Sequence, residues 1–114
     1  MSYIVTPFEV CSKGLPSPVK VHFVHLYSAI ATRHSDSIDA VFLLDGRKAT
    51  VAISCATLAD LAERDGKRLT DQQLVDIAAL HLRRTLEQGY EATEAELFLG
   101  GEQFLALARE LGYV

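Results

Sequence analysis

The sequence predicts an α+β domain, in which two to three helices pack on one face of an antiparallel sheet of three to four strands. Two local signals support it. Apolar and polar residues alternate on both sides of Asp45-Gly46, and a helix-capping sequence, Thr70-Asp-Gln-Gln73, opens the second half. The chain has 114 residues, 49% of them hydrophobic, which is typical of one globular domain. We therefore expect residues 1–114 to form a single domain.

Two extended segments are expected ahead of the alternating region. The first runs from about Tyr3 to Val10 and ends at a loop rich in glycine and proline, which disfavour helix and central strand alike. From Val19 to about Arg33, β-branched and aromatic residues favour a second strand, and a helix over Ser28 to Thr32 is the alternative. A two-residue turn at Ser35-Asp36 would pair Tyr27 of this strand with Leu44. A turn one residue longer would exchange the faces of the strand.

The next two strands form a predicted β-hairpin. Residues Ile38 to Leu44 and Arg47 to Ile53 flank Asp45-Gly46, a dipeptide preferred in two-residue type I′ turns. With that turn, Phe42 faces Ala49 and the alternation gives one almost wholly apolar face. The residues of that face are Ile38, Ala40, Phe42, Leu44, Ala49, Val51 and Ile53.

Helices dominate the second half. Ser54 is the predicted N-cap of a helix that closes near Gly66, and a longer helix follows Thr70 and runs to about Gln88. Glu96 to Leu99 is a candidate for a short strand. After a break at Gly100-Gly101, Glu102 to Leu111 has the apolar spacing of a last helix.

Part of this layout also resembles a known group of proteins. From residue 38 to about 90, a strand ending in Val41-Phe42-x-x-Asp45-Gly46 leads to a second strand ending in Ile53-Ser54. A helix with Leu58-x-x-Leu61 comes next, and then a longer helix with Arg83-Arg84 near its end. The layout resembles a family of small bacterial cytosolic domains of unknown function. The resemblance covers about half the chain, implies a bacterial cytosolic α+β domain, and carries over no functional residue.

Charge and targeting signals narrow the possible partners and the compartment. The net charge of −4 supplies no strong positive field for a phosphate backbone, so we expect no nucleic-acid partner. The N-terminus lacks a basic segment followed by an apolar core, and no apolar run approaches the ~20 residues of a membrane span. These features predict a cytoplasmic protein without a membrane partner. Cys11 and Cys55 form no CxxC pair, so we expect reduced thiols.

Catalytic and metal-binding patterns are weak. His22 and His25 are three positions apart, which on a strand puts them on opposite faces, so neither a metal nor another cofactor is predicted. The segment His34-Ser-Asp-Ser37 holds the residue types of a hydrolase triad, but neighbours on one turn rarely align for proton transfer. Arg83-Arg84 shares a helix with acidic residues, which predicts an ion-paired, solvated face. The sequence therefore favours a protein that is not an enzyme.

The most informative signal is an excess of apolar residues on the sheet face that the helices would leave open. With the two-residue turn, five apolar side chains come together there, enough for a patch of several hundred Å². We therefore expect self-association, most simply as a homodimer, or binding of a protein partner, unless residues Tyr3 to Val10 or the last helix cover the face. The predicted interface residues are Val24, Leu26, Ile30, Val41 and Leu43.

The alternative is a small-molecule-binding protein or enzyme with a pocket between the sheet and the helices. His25, Tyr27 and His81 are the candidate ligand-binding residues, because each is a polar side chain within an otherwise apolar pattern. His81 lies within the apolar stripe of the long helix, where a hydrogen-bonded core histidine is the simpler interpretation. No converging set of polar residues supports the pocket.

Overall fold

A computed structural model describes residues 7–11, 17–27, 37–88 and 96–114. In these ranges the chain is α+β, as predicted, with five strands and three helices. The strands are β1 (Phe8–Val10), β2 (Val19–Tyr27), β3 (Ser37–Leu44), β4 (Arg47–Ser54) and β5 (Glu96–Leu99). The helices are α1 (Cys55–Asp65), α2 (Asp71–Glu87) and α3 (Gly101–Glu110).

The five strands form one mixed sheet in the order β1-β2-β3-β4-β5. The first four are antiparallel to their neighbours, whereas β5 runs parallel to β4. The prediction of three to four antiparallel strands is therefore confirmed only in part, because the sheet has a fifth strand and β5 is parallel. The number was too low because β1 has only three residues, too few to show an alternating pattern in the sequence. β5 is parallel because α1 and α2 return the chain to the end of the sheet where β4 starts, before β5 begins.

The hairpin of β3 and β4 is confirmed with its predicted register. Phe42 pairs with Ala49, and the turn residues Asp45 and Gly46 have φ values of 50° and 86°. A type I′ turn requires positive φ at both central positions, which glycine adopts without strain and aspartate tolerates. Turn chemistry and alternation thus agree here, and together they fix which face of each strand is apolar.

The predicted register of β2 was wrong. Val21, not Tyr27, lies across from Leu44, and Tyr27 pairs with Asp39. The register also shifts between Phe23 and His25, so Val24 is an extra residue in the strand. The prediction that His22 and His25 lie on opposite faces was therefore wrong: they pair with Leu43 and Val41, which share one face of β3. The expected continuation of the strand to Arg33 and the turn at Ser35-Asp36 lie outside the described residues.

The helix boundaries follow their capping residues. Ser54 Oγ accepts a hydrogen bond from the Thr57 amide at the start of α1, and Gly66 ends the helix with φ 64°. At the start of α2, Thr70 and Gln73 exchange hydrogen bonds of 2.9 and 3.1 Å, which completes the predicted capping box. α3 begins one residue earlier than expected, at Gly101, and ends at Glu110.

The core lies between the sheet and the helices. Side chains of the apolar hairpin face pack against those of α2 and α3, while Leu58 of α1 covers the margin of the same cluster. All three helices therefore lie on one face, and none of them lies on the opposite one. The largest fully buried side chains include Phe42, Ile53, Ile77, Leu82, Leu99 and Phe104.

Candidate functional site

The sheet face opposite the helices, called the outer face below, carries the candidate interface. Its members alternate with the core residues along β2 to β5, and the strand pairings place them in rows across the sheet. One row runs through His25, Val41 and Thr50, and a second through Asp39, Ala52 and Phe98. The outer face comprises His22, His25, Asp39, Val41, Leu43, Lys48, Thr50, Ala52 and Phe98, with Val24 beside it at the bulge.

Exposed apolar area is concentrated at two places on this face. Val24 is 49% exposed and Phe98 is 61% exposed, while Leu43 is half-buried. Val41 and Ala52 lie in the middle of the face and are 7% and 3% exposed. The outer face therefore has a buried centre and apolar side chains toward both margins, on β2 and on β5.

The predicted interface residues divide into three groups. Val24, Val41 and Leu43 lie on or beside the outer face. Leu26 does not: it pairs with Ala40 and packs in the core, because the bulge at Val24 shifts the alternation of β2 by one residue. Ile30 lies outside the described residues.

Phe98 is a member of the outer face that the sequence interpretation missed. Its strand, β5, reads Glu-Leu-Phe-Leu, and Leu97 and Leu99 pair with the core residues Val51 and Ile53. Because side chains alternate along a strand, Phe98 must point away from the core. The alternation was visible in the sequence, but the parallel pairing to β4 that decides which face is buried was not.

Two of the three predicted ligand-binding residues, His25 and His81, lie on opposite sides of the sheet. His25 is exposed and pairs with Val41 on the outer face, whereas His81 is buried on α2, on the helix side of the sheet. Burial lowers the pKa of His81, because desolvation disfavours the charged imidazolium. Tyr27 is placed by its backbone, which pairs with Asp39. The two histidines therefore cannot line one cavity.

Charges on the outer face are separated along the strands. Asp39 accepts a hydrogen bond of 2.8 Å from Ser37 Oγ near one end of the face, and Lys48 is exposed near the other. Lys48 pairs with Leu43, which is four residues from Asp39 along β3, or about 14 Å at the usual rise per residue. Among the side chains that the structure describes, one end of the face thus carries an acidic residue and the other a basic one.

A second surface lies on the helix side and is called the α2 groove below. It is a depression of about 350 Å³ between Phe8 of β1, one side of α2 and the residues after α3. The guanidinium carbon of Arg83 lies 4.6 Å from the centre of the Phe8 ring, a cation–π contact. Tyr113 Oη donates a hydrogen bond of 2.6 Å to Asp76, and this bond is the main reason that the pKa of Tyr113 is raised.

A third depression, of about 540 Å³, lies between α1 and the start of α2. Its floor is apolar, and its rim carries charges of both signs. The floor consists of Ile38, Leu58, Leu61, Leu69 and Leu74 with two alanines of α1, and the rim of Glu63, Lys67, Arg68 and Asp71. The rim carries two acidic and two basic residues, so its net charge does not select one sign of ligand.

The remaining sequence features have structural roles. Gly101, in the predicted break, donates its backbone N–H to Thr57 Oγ1 at 2.8 Å, so this amide is hydrogen-bonded within the fold. Arg84 forms its ion pair with Glu110 of α3, and Arg83 contacts Phe8. Both arginines are exposed, as expected for a solvated face, but the ion pair of Arg84 is with an acid of α3 and the contact of Arg83 is with an aromatic ring of β1.

Within the described ranges, no three His, Cys, Asp or Glu side chains come together as ligands for a metal ion. No helix in this part of the chain is both long and apolar enough to cross a membrane. Comparison with models of protein families, with curated proteins and with solved structures finds no match to this chain. The resemblance over residues 38–90 therefore remains a prediction.

Proposed function

We propose that this protein is a non-catalytic interaction module that associates with a second copy of itself through the outer face of its sheet. The observation that carries the proposal is the exposure of Val24 and Phe98 on the side of the sheet that holds none of the described helices. Large exposed apolar side chains on one face are typical of association surfaces, because water there is released when two copies meet.

The size of the face sets the expected strength of association. β2, β3 and β4 have 9, 8 and 8 residues, and together with β5 they span about 19 by 27 Å, or about 500 Å² per copy. Because the centre of each face is already buried, two such faces would bury at most about 1,000 Å² in total, which is the lower limit for a specific interface. We therefore expect a dimer that dissociates on dilution through the micromolar range, not an obligate one.

The charge pattern favours one arrangement of the two copies. A two-fold axis running across the strands would superpose the Lys48 end of one face on the Asp39 end of the other. Both pairs of opposite charges would then form at once, as in an isologous interface. A two-fold axis along the strands would instead bring like charges together at each end of the face, and the two copies would repel each other.

The alternative of a small-molecule pocket near His25, Tyr27 and His81 has no geometric support, since the two histidines lie on opposite faces. Dimerisation uses residues on one face alone and needs no such convergence. The outer face therefore supports a binding function better than any set of catalytic side chains among the described residues.

Sedimentation velocity across a range of protein concentrations tests the proposal. We expect the wild-type protein to shift from monomer to dimer, and Phe98→Glu to remain a monomer at concentrations where the wild type is dimeric. Leu111→Glu is the matched control, because Leu111 is also an exposed apolar residue but lies on the helix side. A wild-type monomer at all concentrations would refute the proposal, as would a Phe98→Glu variant that dimerises normally.

A further inference from the structure

The α2 groove places the positively charged side chain of Arg83 beside apolar side chains. Its volume of about 350 Å³ lies within the range of small-molecule sites. Phe8 lies at one side, Leu80 of α2 lines the groove along the helix, and Leu111 lies after α3. Leu111 is 37% exposed, so apolar surface in the groove is open to a ligand.

Arg83 is held so that its hydrogen-bond donors remain available. The guanidinium carbon lies over the Phe8 ring, and no hydrogen bond to another described residue occupies the five N–H groups of Arg83. In the described part of the chain no carboxylate pairs with Arg83, whereas the adjacent Arg84 is engaged by Glu110. An arginine fixed in this way loses little side-chain entropy when it binds a carboxylate through two hydrogen bonds.

The other end of the groove carries the carboxylate of Asp76, which repels anions and already has two hydrogen-bond donors as partners. Asp76 accepts hydrogen bonds from Gln72 at 2.9 Å and from Tyr113 at 2.6 Å. Asp76 and Arg83 are two helical turns apart on one side of α2, or about 10 Å along the axis. A negatively charged group is thus repelled at the Asp76 end and attracted at the Arg83 end, and the apolar surface lies between them.

We infer that the α2 groove binds a small organic carboxylate with an apolar body, the carboxylate at Arg83 and the body against Leu80 and Leu111. The polarity of the groove selects one orientation. A carboxylate without an apolar body would gain the charge contact but lose the burial, and an apolar neutral molecule would lose the charge contact. We therefore expect a ligand that has only the carboxylate, or only the apolar body, to bind more weakly than one that has both.

An amide-resolved NMR titration with phenylacetate tests the inference. Phenylacetamide is the matched neutral probe, since it keeps the ring and replaces the carboxylate by an amide, and inorganic phosphate is the anion without an apolar body. We expect phenylacetate to shift signals along the exposed side of α2 and after α3, and both other probes to bind at least about tenfold more weakly. No shift with millimolar phenylacetate, or equal binding of either other probe, would overturn the inference.

Two arginine variants test whether the carboxylate of the ligand binds at Arg83. Arg83→Gln should weaken phenylacetate binding at least about tenfold, the loss expected for a charge-assisted contact. Arg109→Gln is the control, because Arg109 is an exposed arginine in the last turn of α3 outside the groove. Unchanged binding by a folded Arg83→Gln variant would contradict the assignment.

This site is independent of the outer face. Leu111→Glu adds a second carboxylate to the groove, so it should weaken phenylacetate binding while leaving the dimer intact. Phe98→Glu should do the reverse. Failure of one proposal can therefore be told apart from failure of the other.

Discussion

Leu26 lies directly across from Ala40 on the neighbouring strand, and its side chain packs in the core beneath the helices. Two positions earlier, Val24 is about half exposed on the other side of the bulge. We expect Leu26→Ala to lower the free energy of unfolding by about 2–5 kcal/mol, because it opens a cavity in a packed core. Val24→Ala should cost less than about 1 kcal/mol. Urea denaturation of the two variants measures both free energies of unfolding. Equal losses in the two variants would contradict a bulge that buries Leu26 and exposes Val24.

Gly100 is required by a close approach between two helix starts. A Cβ at this position would lie 2.8 Å from Ser54 Cβ and 3.1 Å from Thr57 Oγ1. We expect Gly100→Ala to destabilise the protein by about 1–3 kcal/mol through overpacking. In the double variant Ser54→Gly/Gly100→Ala the nearer contact disappears, so part of the loss should return. A double-mutant cycle by thermal unfolding measures this coupling, and strictly additive losses would show that the contact is not the cause.

Tyr113 links the end of the chain to α2 in a way that depends on pH. The hydrogen bond to Asp76 raises the pKa of Tyr113 above its ordinary value of 10.0. The folded state therefore favours the protonated phenol, and this stabilisation is complete below pH 10 and is lost as the pH rises through the folded pKa. We expect Tyr113→Phe to be less stable at neutral pH and to lose less stability than the wild type above pH 10. If Tyr113→Phe and the wild type lose the same free energy of unfolding above pH 10, the hydrogen bond of Tyr113 is not the source of the pH dependence.

His81 should make the fold sensitive to acid. Burial lowers its pKa below the ordinary value of 6.5, so the folded state favours neutral imidazole. This contribution is present above pH 6.5 and disappears as the pH falls through the folded pKa, where the imidazole becomes charged. We expect His81→Leu to reduce the loss of stability between neutral and mildly acidic pH. Ile77→Val, a change on the same helix that removes no titratable group, should retain the acid dependence of the wild type. If both variants behave alike in urea denaturation, His81 is not the source.

Local signals were the reliable part of the sequence interpretation. The Asp45-Gly46 turn fixed the register of β3 and β4, and the capping box fixed the start of α2, because each is decided by residues close together in the chain. The register of β2 depends on a bulge at Val24, where the extra residue reverses the alternation that the sequence displays.

Contacts between distant elements account for what could not be predicted. Arg83 lies far from Phe8 in sequence and Tyr113 far from Asp76, and no pattern near either residue indicates its partner. Phe98 is exposed because its strand joins β4 in parallel, which follows from the path of two intervening helices. The candidate site was thus predictable as an outer sheet face, but its exposed members were predictable only in part.

The parallel pairing of β5 with β4 also orders the events of folding. The hairpin of β3 and β4 closes across two residues and can form within microseconds, whereas β5 must wait until the chain from Ser54 to Glu96 has brought it back to the sheet. Closing that long loop costs chain entropy before any contact repays it, so the pairing is expected late. Phe98 would then reach the outer face at the end of folding. Until β5 pairs with β4, the outer face lacks the exposed Phe98 side chain, so we expect two chains to associate only after each has folded.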